Sequence, residues 1–144
     1  MLFRSQTDQQ LLALLRENAR TSTAQLARRL GVSRTTIQSR IERLEREGVI
    51  SGYTVRVDDA HEHGQIRAHI GIAVHPKQMT GVAAALRAMP EVRSLHSVSG
   101  AWDLIAVAAV PAVGDMDVLT DRIGALDGVD RTTTSIVLST KFER

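Results

Sequence analysis

Cysteine is absent from this 144-residue chain, and aromatic side chains are scarce, with one Trp, one Tyr and two Phe. The first absence excludes disulfides, thiol catalysis and thiolate metal sites, so neither a zinc ribbon nor a dithiol redox centre is open to the sequence. The second limits how much area a small domain can bury, which favours stability shared between subunits. No run approaches the roughly 20 apolar residues of a membrane span, and residues 1–10 lack the apolar centre of a secretory signal. A soluble, cytoplasmic protein is expected. G-x-S-x-G, P-loop and G-x-G-x-x-G patterns are also missing, and the one Trp-Asp turn has no partnered base, so no enzyme is expected.

Lysine is missing from residues 1–57, where ten Arg face five acidic residues, a balance of +5; residues 58–144 carry eight basic and eleven acidic residues, a balance of −3. The excess positive charge therefore sits in one segment, as a duplex-DNA partner requires, and it is supplied by a side chain that grips phosphate or guanine bidentately.

Within that segment, Ser22 to Arg46 reads as two short helices around a Gly31-Val32 turn. Ser22 with Gln25 forms a capping box, and Ser33 offers a hydroxyl to the second helix. Leu26, Leu30, Val32, Ile37, Ile41 and Leu44 fall at helical spacing and leave a polar face free. This is the pattern of a helix-turn-helix. An earlier helix over Asp8 to Asn18, with Leu11, Leu12, Leu14 and Leu15, can cover the pair. Gly48 ends the recognition helix, and a strand from Tyr53 to Val57 is predicted after it, giving a winged helix-turn-helix with a reduced wing.

With Ile37, Ile41 and Leu44 as the buried seam, Arg34, Thr35, Thr36, Gln38 and Ser39 are assigned to base edges, and Arg40 and Arg43 to phosphates. Ser22 and Thr23 open a helix whose free amides favour a phosphate. Ser33 combines capping with a place at the DNA side.

Residues 58–65, D-D-A-H-E-H-G-Q, read as a linker. His61-Glu62-His63 within it raises a metal-responsive reading, but H-x-H in a polar loop is weak ligand chemistry, and no metal is expected. Beyond it Ile66 to Val74 alternates as a strand, and Met79 to Met89 is helical. A repeat appears at an offset of 37 residues: Met79, Val82, Leu86, Met89 and Val92 map onto Met116, Leu119, Ile123, Leu126 and Val129. With further strands at Val92 to Ser99, Leu104 to Val110 and Arg131 to Ser139, the order is βαββαβ, a ferredoxin-like split βαβ fold. The fold class is thus α+β, with a DNA-binding domain at 1–57 and the second domain at 66–144. Leu104 to Val110 is apolar throughout, as for a strand buried on both faces. Two helices cover only one face, so a second copy of the chain is expected on the other.

Between the second and third of these strands lies S-G-A-W-D, residues 99–103, and Thr132, Thr133, Thr134 and Ser135 add hydroxyls on the last strand. Turn amides, a carboxylate and hydroxyls could hold an amino acid.

The chain resembles the Lrp/AsnC (feast/famine) family of transcription regulators. The resemblance rests on D-Q-Q-L-L-A-L-L-R-E-N-A-R-T-S-T-A-Q-L-A-R-R-L-G-V-S-R-T-T-I-Q-S-R-I-E-R-L-E-R-E-G-V-I-S-G-Y, and later on S-G-A-W-D and R-T-T-T-S-I-V-L. It implies homodimers that often assemble into octamers, and an amino-acid effector bound between dimers instead of a tightly held cofactor. By position, the implied effector pocket draws on His96, Val98, Gly100, Ala101, Trp102, Asp103, Thr134, Ser135 and Ile136. Relatives usually carry Tyr or Phe where Trp102 stands. A ligand-insensitive architectural DNA binder of the same fold is the alternative.

Overall fold

The computed structural model describes residues 5–57 and 64–143 and divides into two compact units, Met1–Arg56 and Val57–Arg144, each with its own hydrophobic core. The first unit holds α1 (Gln6–Glu17), α2 (Thr23–Leu30) and α3 (Arg34–Arg46). Each helix starts at a serine whose hydroxyl accepts an amide three residues on: Ser5 from Asp8, Ser22 from Gln25 and Ser33 from Thr36. These caps satisfy donors that the helix itself leaves orphaned. Gly31 closes α2 at φ 66°, a left-handed conformation that glycine takes without a Cβ penalty. The chain then needs only Val32 before the Ser33 cap of α3. Leu11, Leu26, Ile37 and Leu44, one to two from each helix, are almost wholly buried against one another.

Residues 51–57 form no strand, which corrects the expected Tyr53–Val57 wing. A strand needs a neighbouring backbone to exchange hydrogen bonds with, and this segment pairs with none among the described residues. Tyr53, Val55 and Val57 are exposed, and the Tyr53 hydroxyl donates to Glu45 Oε1 at 2.6 Å. The linker sequence His61-Glu62-His63 lies outside the described residues.

The second unit runs β1 (Ile66–Val74), a 3-10 turn (Pro76–Gln78), α4 (Met79–Arg87), β2 (Val92–Ser97), β3 (Leu104–Val110), α5 (Val113–Gly124) and β4 (Val129–Ile136). The sheet is antiparallel in the order β2-β3-β1-β4. Register decides which residues share a face, because directly paired residues point the same way. Ala68, Ile70 and Ile72 of β1 pair with Ala108, Ala106 and Leu104 of β3, and all six pack beneath Val82 and Leu86 of α4 and Met116, Leu119 and Ile123 of α5. The other face carries Arg67, His69, Gly71 and Ala73 of β1 beside Ala109, Val107 and Ile105 of β3. Neither helix covers that face, and Ile105 and Val107 are only half-buried. No described helix is long and apolar enough to cross a membrane.

Ile37 is fully buried at the centre of the three-helix core. Ile37→Ala is predicted to destabilise the first unit by about 2–5 kcal/mol, and Thr35→Ala, on the exposed face of α3, by less than about 0.5 kcal/mol. Thermal melts of the full chain followed by helical circular dichroism check both.

Candidate DNA-reading face and effector loop

Helical geometry on α3 separates the expected DNA-binding residues into three groups. Arg34, Thr35, Gln38 and Ser39 are exposed on the side away from Ile37 and Leu44. Gln38 Nε2 donates to Glu42 Oε1 at 3.2 Å, which brings a carboxylate, absent from the sequence assignment, onto the same face. Thr36 departs from the expectation: its amide and hydroxyl both engage the Ser33 hydroxyl, at 3.1 and 2.8 Å, so it completes the cap. Ser22 likewise caps α2 through the amide of Gln25 at 3.2 Å, with Thr23 as its first residue. A concavity of about 500 Å³ at the turn is lined by Ala24, Ala27, Arg28, Gly31, Val32, Ser33 and Arg34.

Arg40 and Arg43, expected on phosphates, have a different first partner. Arg40 Nη1 lies 2.7 Å from Asp8 Oδ1 and Arg43 Nη2 lies 2.6 Å from Asp8 Oδ2, so one carboxylate of α1 spans two arginines of α3. Arg40 Nη1 also donates to Ser5 Oγ at 2.9 Å. Asp8 is only 3% exposed, the one buried charged residue among those described. Burial pushes its carboxyl up, but hydrogen bonds from Arg40 and Ser5 and the charges of Arg43 and Arg40 outweigh this and hold it below its ordinary value of 3.8. The signal for this cluster was an Asp in the first turn of α1 and two Arg three apart on one flank of α3, which sequence alone does not bring together.

In the second unit the loop between β2 and β3 folds back over the open sheet face. Gly100 takes φ 111°, and Asp103 closes the loop: its amide donates to Ile72 O at 3.1 Å, its carbonyl accepts from Val98 N at 3.1 Å, and its Oδ2 accepts from Val74 N at 2.8 Å. Trp102 then lies on Gly71, where an added Cβ would stand 2.7 Å from the indole Cδ2. The Arg131 guanidinium sits 4.5 Å from the indole centroid, and its Nη2 donates to Ala101 O at 3.3 Å. A cation over an indole is attracted by the ring's quadrupole, so Arg131 both holds the loop and places a positive charge beside it.

Register sorts the remaining effector candidates. Ser135 pairs with His69 and Thr133 with Gly71, on the face that carries Trp102. Thr134 pairs with Ile70 and Ile136 with Ala68, on the helix-covered face, and Thr134 Oγ1 lies 3.1 Å from Thr120 Oγ1 of α5. Thr134 and Ile136 therefore do not join the loop, because adjacent strand residues alternate faces. His96 shares the open face through its pairing with Ile105, but stands two strand spacings, about 10 Å, from Gly71. Gly71 and Arg131 were not assigned from sequence, whereas Thr133 belongs to the hydroxyls singled out on the last strand. An isolated glycine inside an apolar strand was the legible sign of a close approach.

A helix-turn-helix reader on one unit and a loop-bearing βαββαβ domain on the other define the class of DNA-binding transcription regulators that carry a ligand-binding domain. Models for a winged helix-turn-helix DNA-binding domain and for the Lrp/AsnC ligand binding domain match residues 4–51 and 67–144, and the chain belongs to the Lrp/AsnC family. It is 39% identical to the HTH-type transcriptional regulator LrpA1 of Halobacterium salinarum over 126 residues, covering 85% of this chain and 87% of that one. Escherichia coli AsnC superposes with a TM-score of 0.89 at 28% identity, covering 99% of this chain and 97% of that one. A Neisseria meningitidis transcriptional regulator, solved in complex with L-methionine, shares the fold with a TM-score of 0.87 at 23% identity, covering 97% and 93% of the two chains. The family and these relatives are regulators, and the chain is not an enzyme.

Two predictions test this geometry. Asp8 has a folded pKa below its unfolded value, so its stabilisation is complete above about pH 3.8 and is lost as pH falls through the lowered folded value. Acid titration followed by circular dichroism is predicted to show helix loss in that range, and Asp8→Asn to forfeit about 2–4 kcal/mol at neutral pH. Gly71→Ala is predicted to displace the indole; because Trp102 is the only tryptophan, a shift in fluorescence emission reports it directly.

Proposed function

We propose that the chain is a sequence-specific transcription regulator whose DNA binding or assembly is set by a small effector, an amino acid, held at the loop Gly100–Asp103. The observation that carries this reading is the docking of Trp102 on Gly71 with Arg131 beside it. Arg131 supplies a guanidinium for the effector's carboxylate, and the Asp103 carboxylate keeps Oδ1 beside the Oδ2 that accepts from Val74 for its ammonium. The exposed hydroxyls of Thr133 and Ser135 stand on the same face. An L-methionine complex of a regulator with the same fold supports the choice of an amino acid.

The half-buried Ile105 and Val107 on the open sheet face support association with a second copy, and a homodimer presents two recognition helices to two half-sites. An octamer is the larger assembly of the same kind. The protein acts in the cytoplasm, where its duplex DNA partner lies.

A ligand-insensitive architectural binder is the rival, favoured by how far the loop satisfies itself: Arg131 already bonds Ala101 and Asp103 already bonds Val74. Screening the twenty amino acids at millimolar concentration separates the two. At least one is predicted to shift melting temperature or oligomer size, with Arg131→Ala weakening that response about tenfold or more. No shift from any of the twenty supports the architectural reading instead.

A further inference from the structure

We propose that Asp8 is a specificity-determining positioning residue of the DNA reader: it withholds Arg40 and Arg43 from phosphate, so that binding to arbitrary duplex is weaker than the arginine count of the recognition helix would give. The inference rests on the DNA-binding reading of the first unit.

The carboxylate is buried and uses both oxygens, one for each guanidinium, at 2.7 and 2.6 Å. For either arginine to turn this nitrogen to a phosphate, it must leave one oxygen of the buried carboxylate without its partner, and removing one partner from a buried ion pair is far costlier than losing an exposed one. Arg40 is held through one nitrogen at two points, its Nη1 donating to Asp8 Oδ1 at 2.7 Å and to Ser5 Oγ at 2.9 Å. Arg43 is the more exposed of the two, with 41% of its side chain accessible against 25% for Arg40, and stands at the boundary between the pair and solvent.

The spacing of three residues puts both arginines on the α1 flank of α3, off the exposed face of Thr35, Gln38 and Ser39. Exposed Arg28, Arg29, Arg34 and Arg46 carry no ion pair with another described residue and remain for phosphates. Asp8 thereby divides the cations into those that grip the backbone and those that fix the helix. With less sequence-independent attraction, a larger share of discrimination falls to the polar face.

The test is the salt dependence of binding to a random-sequence duplex by the full chain and by Asp8→Asn. A merely structural Asp8 gives a variant with weaker binding and an unchanged or shallower slope. The proposal predicts a slope steeper by about one to two units, close to 0.9 for each arginine that reaches a phosphate, so that each freed arginine adds roughly threefold to affinity for every fourfold drop in salt. An unchanged or shallower slope in a folded Asp8→Asn overturns it.

If circular dichroism shows Asp8→Asn unfolded, Asp8→Asn/Arg40→Gln/Arg43→Gln carries the test, because it leaves no unpaired charge in the interior. A wild-type slope in this triple variant supports the proposal, and a slope shallower by one unit or more overturns it. Failure of the wild-type chain to bind duplex at all would remove the DNA-binding reading and this inference with it, whereas wild-type binding with the contrary variant slopes removes only the role of Asp8.

Discussion

A four-stranded sheet with helices on one face only is the constraint from which the second unit's behaviour follows. Ala68, Ile70, Ile72, Leu104, Ala106 and Ala108 are consumed in packing against α4 and α5. What remains for function is the opposite face, and its chemistry is set by register: Ile105 and Val107 in the middle, Arg131, Thr133 and Ser135 on the β4 side, and His96 on the β2 side. The absence of a side chain at Gly71 lets Trp102 lie flat enough on this face for Arg131 to reach the ring. A loop pinned at both ends by Asp103 thus becomes part of the surface where a second chain would pack. Under the proposed function, a small molecule bound beside that loop would act at the place where subunits meet, and a modest local shift there would alter how chains are paired.

The first unit solves a different problem, which is to hold a short helix rigidly enough to read bases. Three serine caps, the Gly31 turn and a core of Leu11, Leu26, Ile37 and Leu44 fix the helix axes. Asp8 adds a polar clamp between α1 and α3 at the edge of this core. Apolar packing is tolerant of small rotations, whereas two charge-assisted hydrogen bonds from one carboxylate are directional. The clamp therefore fixes rotation of α3 about its own axis, which decides where Thr35, Gln38 and Ser39 point.

The helices of the first unit, the βαββαβ order and the 37-residue repeat were all legible, because each rests on local periodicity or on a cap of known spacing. What was not legible depends on partners distant in sequence. Asp8 meets Arg40 and Arg43 across more than thirty residues, and Arg131 meets Trp102 across twenty-nine. Thr134 and Ile136 were grouped with the loop by position in the chain, and only the pairing of β4 with β1 reveals that they point to the helices while Thr133 and Ser135 do not. The Tyr53–Val57 strand followed from composition, which marks residues that suit a strand but does not supply the neighbouring backbone that makes one.

In the proposed mechanism, pairing of chains is the step that would join the two units, since it would bring two reading helices to one stretch of DNA and set the effector loop at the place of assembly. The most direct measurement is the mass of the complex with a short operator duplex, determined by analytical ultracentrifugation. The account predicts an even number of chains per duplex, two or a multiple of two; a stable complex of one chain on one duplex would contradict it.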